Sequence, residues 1–230
     1  MWKIGAIVQA RMSSQRLPGK VLMEVNGRPI LHYIIERLEH CSTIKEFVIA
    51  TSREKSDDQV EEFCNEKQVP CYRGSLNDVA SRFKEISENK PWDGFVRING
   101  DSPLIDQYLV DKGINLYRNG NFDLVTNVFP RSYPQGQSVE IVRVGTFKKV
   151  YPRINRHDDR EHVTRFFYQD TKEFKIFNFA SLTDYSSIHL SVDTYQDMQV
   201  FSDIINLMRR PHWDYHLEEI IRMYREICTN

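Results

Sequence analysis

Apolar residues along this chain alternate between two spacings. Ile4, Ala6, Ile7 and Val8 form a short, β-branched run that predicts a buried strand. Ile30, Ile34, Leu38 and Cys41 then recur at helical spacing behind Pro29, which suits a first helical turn, so a helix is predicted to about Cys41. Glu46 to Thr51 (EFVIAT) predicts a second strand, Asp57 to Lys67 a helix with an acidic start that suits its macrodipole, and Val69 to Arg73 a third strand. Gly74 to Glu88 reads as loop and helix, Phe95 to Ile98 as a strand, Pro103 as the neighbourhood of a helix start, and Asp123 to Asn127 as another strand. Pro130, Pro134 and Gly136 precede an alternating tail, which predicts a loop feeding a strand near Val142; a helix end follows at Phe147 to Tyr151. Phe174 to Phe179 alternates as a half-exposed strand does, and His189 to Thr194 predicts a last strand ahead of a helix through Gln199, Ile204 and Leu207. His216 to Ile227 is a closing amphipathic helix suited to packing. This order predicts an α/β fold: a mostly parallel sheet with helices on both faces, Rossmann-like, in three α/β/α layers.

At 230 residues, the chain is expected to form a single domain over 1–230 with a substantial core, with room for a sizeable insertion. Its net charge of −1 argues against a nucleic-acid coat, since there is no basic excess to displace counterions from a phosphate backbone. No run approaches the ~18 apolar residues of a membrane span, and no apolar leader follows the first residues, so the expectation is a cytoplasmic protein without a membrane partner. Cys41, Cys64, Cys71 and Cys228 lack C-x-x-C spacing, which indicates reduced thiols rather than zinc or disulfides.

Chemistry concentrates just past the first strand. Arg11, Arg16 and Lys20, the hydroxyls of Ser13 and Ser14, and the Pro18-Gly19 turn lie where open α/β sheets bind ligands, and this set suits a phosphate chain. A solvated basic loop is the plain alternative, since no Walker loop is present; nor is there a G-x-G-x-x-G for a dinucleotide. Asp101 follows another predicted strand in Asn99-Gly100-Asp101-Ser102-Pro103. Its carboxylate suits either a hard cation that accompanies a triphosphate or a cap on the next helix. Asp193 ends the last predicted strand, so both acids are expected to converge beside the basic loop. Thr194 and Asp197 also suit a helix cap, and Asp78 suits an N-cap with Arg82 one turn on.

The string Ala10-Arg11-x-x-Ser14-x-Arg16-Leu17-Pro18-Gly19-Lys20 resembles the opening signature of the cytidylyltransferases that activate acidic sugars, the family of CMP-Kdo synthetase and acylneuraminate cytidylyltransferase, and most nearly its SpsF-type branch. Arg73-Gly74-Ser75 with Asp78, Val79 and Arg82, the Gly100-Asp101-x-Pro103-Leu104-Ile105 string, Arg160-Glu161-His162-Val163-Thr164 and Val192-Asp193-Thr194 with Asp197 resemble further family strings in their family order.

The resemblance implies a nucleotidyltransferase fold in which Ala10, Arg11, Ser14, Arg16, Lys20, Arg82 and Asn99 contact CTP. It implies Mg2+ (or Mn2+) on Asp101 and Asp193, with Arg16, Lys20, Asp101 and Asp193 carrying catalysis. It also implies an inserted acceptor-binding and dimerisation subregion at approximately 129–182, in which Gly136, Gln137, Glu140, Arg160 and His162 face the acceptor and a homodimer forms; His157, Asp158 and Asp159 suit a solvated helix start. Ser138 stands where those relatives carry Asp, which leaves the acceptor's identity open. The expected reaction is transfer from CTP to a 2-keto sugar acid for surface polysaccharide assembly, with release of pyrophosphate. Transfer to a phosphorylated sugar or polyol is one alternative, and a non-catalytic CTP-binding regulatory module is another.

Overall fold

In the computed structural model, which describes residues 2–229, β1 (Ile4–Gln9) lies near the middle of the sheet. A two-residue hairpin, β2 (Glu24–Val25) and β3 (Arg28–Pro29), turns at Asn26-Gly27 and leads into α1 (Ile30–Glu39). β4 (Phe47–Ser52), α2 (Asp58–Glu66), β5 (Cys71–Gly74), α3 (Val79–Glu88) and β6 (Gly94–Asn99) continue the alternation. After α4 (Gln107–Asn119) come β7 (Leu124–Thr126), β8 (Glu140–Arg143) and α5 (Val144–Val150). The short α6 (His157–Glu161) and α7 (Arg165–Gln169), β9 (Ile176–Asn178), α8 (Tyr195–Leu207) and α9 (Leu217–Thr229) complete the chain. The sheet order is β5-β4-β1-β6-β8-β7-β9, and β8 alone runs antiparallel to its neighbours.

Period-two alternation within the buried strands explains the layering. In β1, Ile4, Ala6 and Val8 join one core with α1, α2, α4, α8 and α9, while Ile7 joins the other with α3, α5 and α7. In β6 the same division sends Val96 and Ile98 one way and Phe95 the other. Covered on both faces, these strands need no polar alternation, which is why they read as continuous apolar runs. The stretch 129–182 supplies β8 and β9 to the same sheet and α5 to α7 to one face. No helix among the described residues is long and apolar enough to cross a membrane.

Two expectations need correction. The helix placed near Pro103 begins at Gln107, because Asp106 accepts a hydrogen bond from the Tyr108 N–H and acts as its cap. His189 to Thr194 is extended but is not a strand of the sheet. It runs beside the 134–136 loop through a single bridge from His189 to Gln135, with hydrogen bonds of 3.0 Å from Gln135 N to Ile188 O and 2.9 Å from Leu190 N to Gln135 O. Gly136 permits this approach: its φ is +89°, and a Cβ there would lie 2.6 Å from the Ser191 nitrogen.

Candidate active site

The basic loop after β1 is held at several points. Leu17 is fully buried, Gly19 takes a φ of +74° and donates to Met12 O at 2.8 Å, and Lys20 starts a single 3-10 turn, Lys20–Leu22. Met12 N–H donates to Asp57 Oδ1 at 2.7 Å, while Ser52 donates to Asp57 Oδ2 through its N–H and its hydroxyl. Asp57 is fully buried just before α2, and its carboxylate, bonded to both Ser52 and Met12, pins the loop against the end of β4.

Lys20 is the centre of this arrangement. Only 6% exposed, it donates to Asp101 Oδ2 at 2.9 Å, Asp193 Oδ1 at 2.8 Å and Val192 O at 2.7 Å, which uses all three ammonium protons. The two acids therefore converge, as the strand-end reading expected, although Asp193 arrives on the extended 188–193 segment, which Val192 N–H anchors to Asp101 O at 2.8 Å. Arg16, largely exposed, adds a second cation on Asp193 Oδ1 at 2.8 Å. Burial raises the Asp193 carboxyl, but the hydrogen bond and charge of Lys20, with Arg16 and His189, outweigh it and hold the group below the usual carboxylate range.

A cavity of about 470 Å³ opens over this cluster. Ala10, Arg11, Ser14, Arg16, Lys20, Arg82, Asn99, Asp101, His162 and Asp193 all line it, so most of the residues singled out from the sequence share one space. Gly100 allows β6 to end against β1, since a Cβ there would meet Gln9 O at 2.7 Å. Arg82 is buried, and its Nη1 donates to Ala50 O at 3.0 Å; burial lowers its pKa to about 10, and its Nε has no hydrogen-bond partner. Asn99 also lines the cavity, and its Oδ1 is likewise buried without a partner.

Four expected acceptor residues lie elsewhere. Gln137 is fully buried, accepting from Asp106 N–H at 2.9 Å and donating to Leu104 O at 2.6 Å, so its amide is consumed in bracing the loop after Asp101. Glu140 is 3% exposed, ion-paired with Arg97 at 2.7 Å and bonded by the Tyr168 hydroxyl at 2.6 Å. Gly136 serves the close approach of the 188–193 segment. Arg160 pairs with Asp78 Oδ2 at 2.8 Å, outside the cavity. Asp78 does cap α3, accepting from Ser81 N–H, but its ionic partner is Arg160 and not Arg82. Thr194 and Asp197 form a reciprocal capping box at α8.

Sequence reasoning missed two site residues. Glu161 lines the cavity and ion-pairs with Arg11 at 2.7 Å, tying α6 to the basic loop; its position between Arg160 and His162 was the available signal. Asp57 looked like a charge at a helix start, yet its carboxylate faces back to Met12 and Ser52. Among the described residues no group of three or more His, Cys, Asp or Glu side chains could hold a metal unaided.

The cytidylyltransferase family model matches residues 5–226. An uncharacterised protein of Methanocaldococcus jannaschii is 33% identical over 205 residues, covering 88% of this chain and 83% of its own. The spore coat polysaccharide biosynthesis protein SpsF of Bacillus subtilis is 31% identical over 166 residues, 69% of this chain and 67% of its own. A cytidylyltransferase from Leptospira borgpetersenii superposes with a TM-score of 0.94 at 28% identity, covering 100% of this chain and 96% of that one. CMP:2-keto-3-deoxy-manno-octonic acid synthetase complexed with CTP shares the fold at a TM-score of 0.67 and 16% identity, over 89% and 98% of the two chains. With the family model spanning nearly its full length, this chain belongs to the cytidylyltransferase family.

Proposed function

We propose that this enzyme transfers the cytidylyl group of CTP to a hydroxyl of an acidic sugar, a 2-keto sugar acid, giving a CMP-sugar and pyrophosphate for surface polysaccharide assembly. The observation that carries this reading is the convergence of Asp101 and Asp193 on one ammonium, Lys20, at the floor of a cavity walled by the basic loop. The acceptor oxygen forms a bond to the α-phosphorus, and the bond to the bridging oxygen of the β-phosphate breaks. Pyrophosphate leaves with the electron pair, and the hydroxyl proton passes to solvent. Arg11, Arg16 and Lys20 neutralise the charge that moves onto the leaving group. Arg82 and Asn99, which line the cavity and each keep one unpaired polar atom, are the proposed nucleoside contacts.

The donor set fits a hard divalent cation, Mg2+ or Mn2+. Asp101 and Asp193 already share one cation, Lys20, and a hard divalent cation takes carboxylate oxygens together with those of water and phosphate. Asp101 and Asp193 would hold it. When bound, such an ion supplies charge neutralisation at the α-phosphate and lowers the pKa of a bound hydroxyl. The same reading includes a homodimer through the 129–182 stretch, which sedimentation tests directly.

The deciding experiment is a pyrophosphate-release screen with CTP, UTP, ATP and GTP against a panel of ulosonic acids and polyol phosphates. Release is expected with CTP and an ulosonic acid, and Asp101→Asn and Asp193→Asn should each lower it at least about 100-fold with the fold intact. Unchanged turnover in either variant, or no release with any pair, overturns the proposal.

A further inference from the structure

Along the carboxyl edge of the sheet, next to the cavity, lies a largely buried ionic cluster that the proposed reaction has not yet used. Arg97 on β6 bridges from Gln9 Oε1 on the cavity wall at 3.0 Å to Glu140 Oε2 on β8 at 2.7 Å. The other Glu140 oxygen accepts from the Tyr168 hydroxyl, so both carboxylate oxygens are taken. A second guanidinium, Arg131, lies within reach of the Glu140 charge and, among the described residues, makes no ion pair. Its bonds run only to neutral oxygens, Nη1 to Pro134 O at 3.2 Å and Nη2 to Ser138 Oγ at 3.0 Å. Burial lowers the Arg131 pKa, with the Glu140 charge opposing. Two guanidiniums thus share one acid, leaving one positive charge in surroundings poorer in water than bulk solvent. Half-buried cations are ordinarily paired, and a planar fork left on neutral oxygens is preorganised for an oxyanion. Phe129, 44% exposed, stacks on Tyr168 beside this cluster.

We propose that Arg131 is the residue that recognises the acidic group of the acceptor, a carboxylate or a phosphate, with Ser138 keeping its guanidinium free to do so. This rests on the transferase reading above and adds to it the residue that selects an anionic acceptor. Gln137 and Glu140, expected to face the acceptor, are turned inward; Arg131 has donors to spare on the same loop and strand edge. A carboxylate at position 138 would pair with Arg131 internally and compete with an incoming anion for its guanidinium.

The test uses full-length protein carrying 15N-arginine and saturated with CTP, so that the triphosphate site is filled. The Arg131 Nε–H signal is assigned by its loss in Arg131→Lys. Inorganic phosphate and pyruvate, small probes for a phosphorylated and a 2-keto acid acceptor, are titrated separately. The expected result is a saturable shift of the Arg131 signal with at least one anion, affinity weakened about tenfold or more in Ser138→Asp, and affinity within about twofold of wild type in Ser138→Asn. Which anion binds more tightly identifies the acidic group. No shift with either anion, or equal affinity in Ser138→Asp, overturns the inference. A parallel CTP titration keeps the two readings separate: failure of wild type to bind CTP counts against the transferase, while CTP binding without an Arg131 response counts against the subsite alone.

Discussion

Replacing Lys20 by Met keeps the side-chain length but removes the charge that two carboxylates share. Lys20 is 6% exposed and makes three hydrogen bonds of 2.7 to 2.9 Å, two of them to ions. Removing one partner of a buried ion pair typically costs roughly 3–5 kcal/mol, because the other charge is left uncompensated. Asp101 and Asp193 retain side-chain exposures of 28% and 14%, and Arg16 remains on Asp193, so the lower end of that range applies, about 3 kcal/mol. For a chain of this length about 2–4 °C of Tm accompanies each kcal/mol, so Lys20→Met should melt about 6–12 °C below wild type. The freed carboxylates should then accept a divalent cation without nucleotide. A saturating concentration of about 100 Kd returns about 2.7 kcal/mol, most of the loss. In the wild type, where the ammonium occupies both acids, the same metal should shift Tm far less. Differential scanning fluorimetry with and without Mn2+ measures all four conditions. A Lys20→Met Tm within about 1 °C of wild type, or a variant indifferent to Mn2+, would refute the reasoning.

His212 supplies a pH prediction. It is buried, and burial together with nearby Arg37 lowers its pKa from 6.5 to about 4 despite a 2.9 Å contact with Glu36. The unfolded chain binds the extra proton between those values, so this stabilisation is complete above about pH 6.5 and is lost as pH falls toward 4. About 2 kcal/mol should disappear between pH 7 and pH 5 in urea titrations, and His212→Gln should lack most of that loss. Gly136→Ala should cost about 1–3 kcal/mol, since its φ is +89° and the new Cβ would press on the backbone of Leu190 and Ser191; CTP binding should fall with it as Asp193 is displaced, read by calorimetry on the folded fraction. Asp57→Asn weakens the charge-assisted bond to Met12 N–H, worth about 1.5–3 kcal/mol, and should weaken CTP binding about tenfold or more while near-UV circular dichroism stays native.

Those residues also mark what was legible in the chain. The α/β alternation and the strands β1, β4, β5 and β6 could be read from local apolar runs, and β1, β4 and β6, at the centre of the sheet, declare themselves most plainly. The convergence of Asp101 and Asp193 followed from a topological rule about strand ends. The rule gave the right place for Asp193 even though its segment pairs with a loop and not with the sheet. Gln137 and Glu140 were misplaced because whether a polar side chain faces inward depends on partners far along the chain, Leu104 and Asp106 for one and Arg97 and Tyr168 for the other. Asp57 was hidden for the same reason: its helix-start position has an ordinary local explanation, and only the fold brings Met12 to it.

The most direct measurement of the central claim is an anomalous difference map from crystals grown with CTP and Mn2+. The account predicts a manganese peak within about 2.5 Å of carboxylate oxygens from both Asp101 and Asp193, with the triphosphate against Arg11, Arg16 and a Lys20 released from the acids. A triphosphate bound elsewhere, or a cavity holding CTP while Lys20 still bridges Asp101 and Asp193 and no peak lies between them, would contradict it.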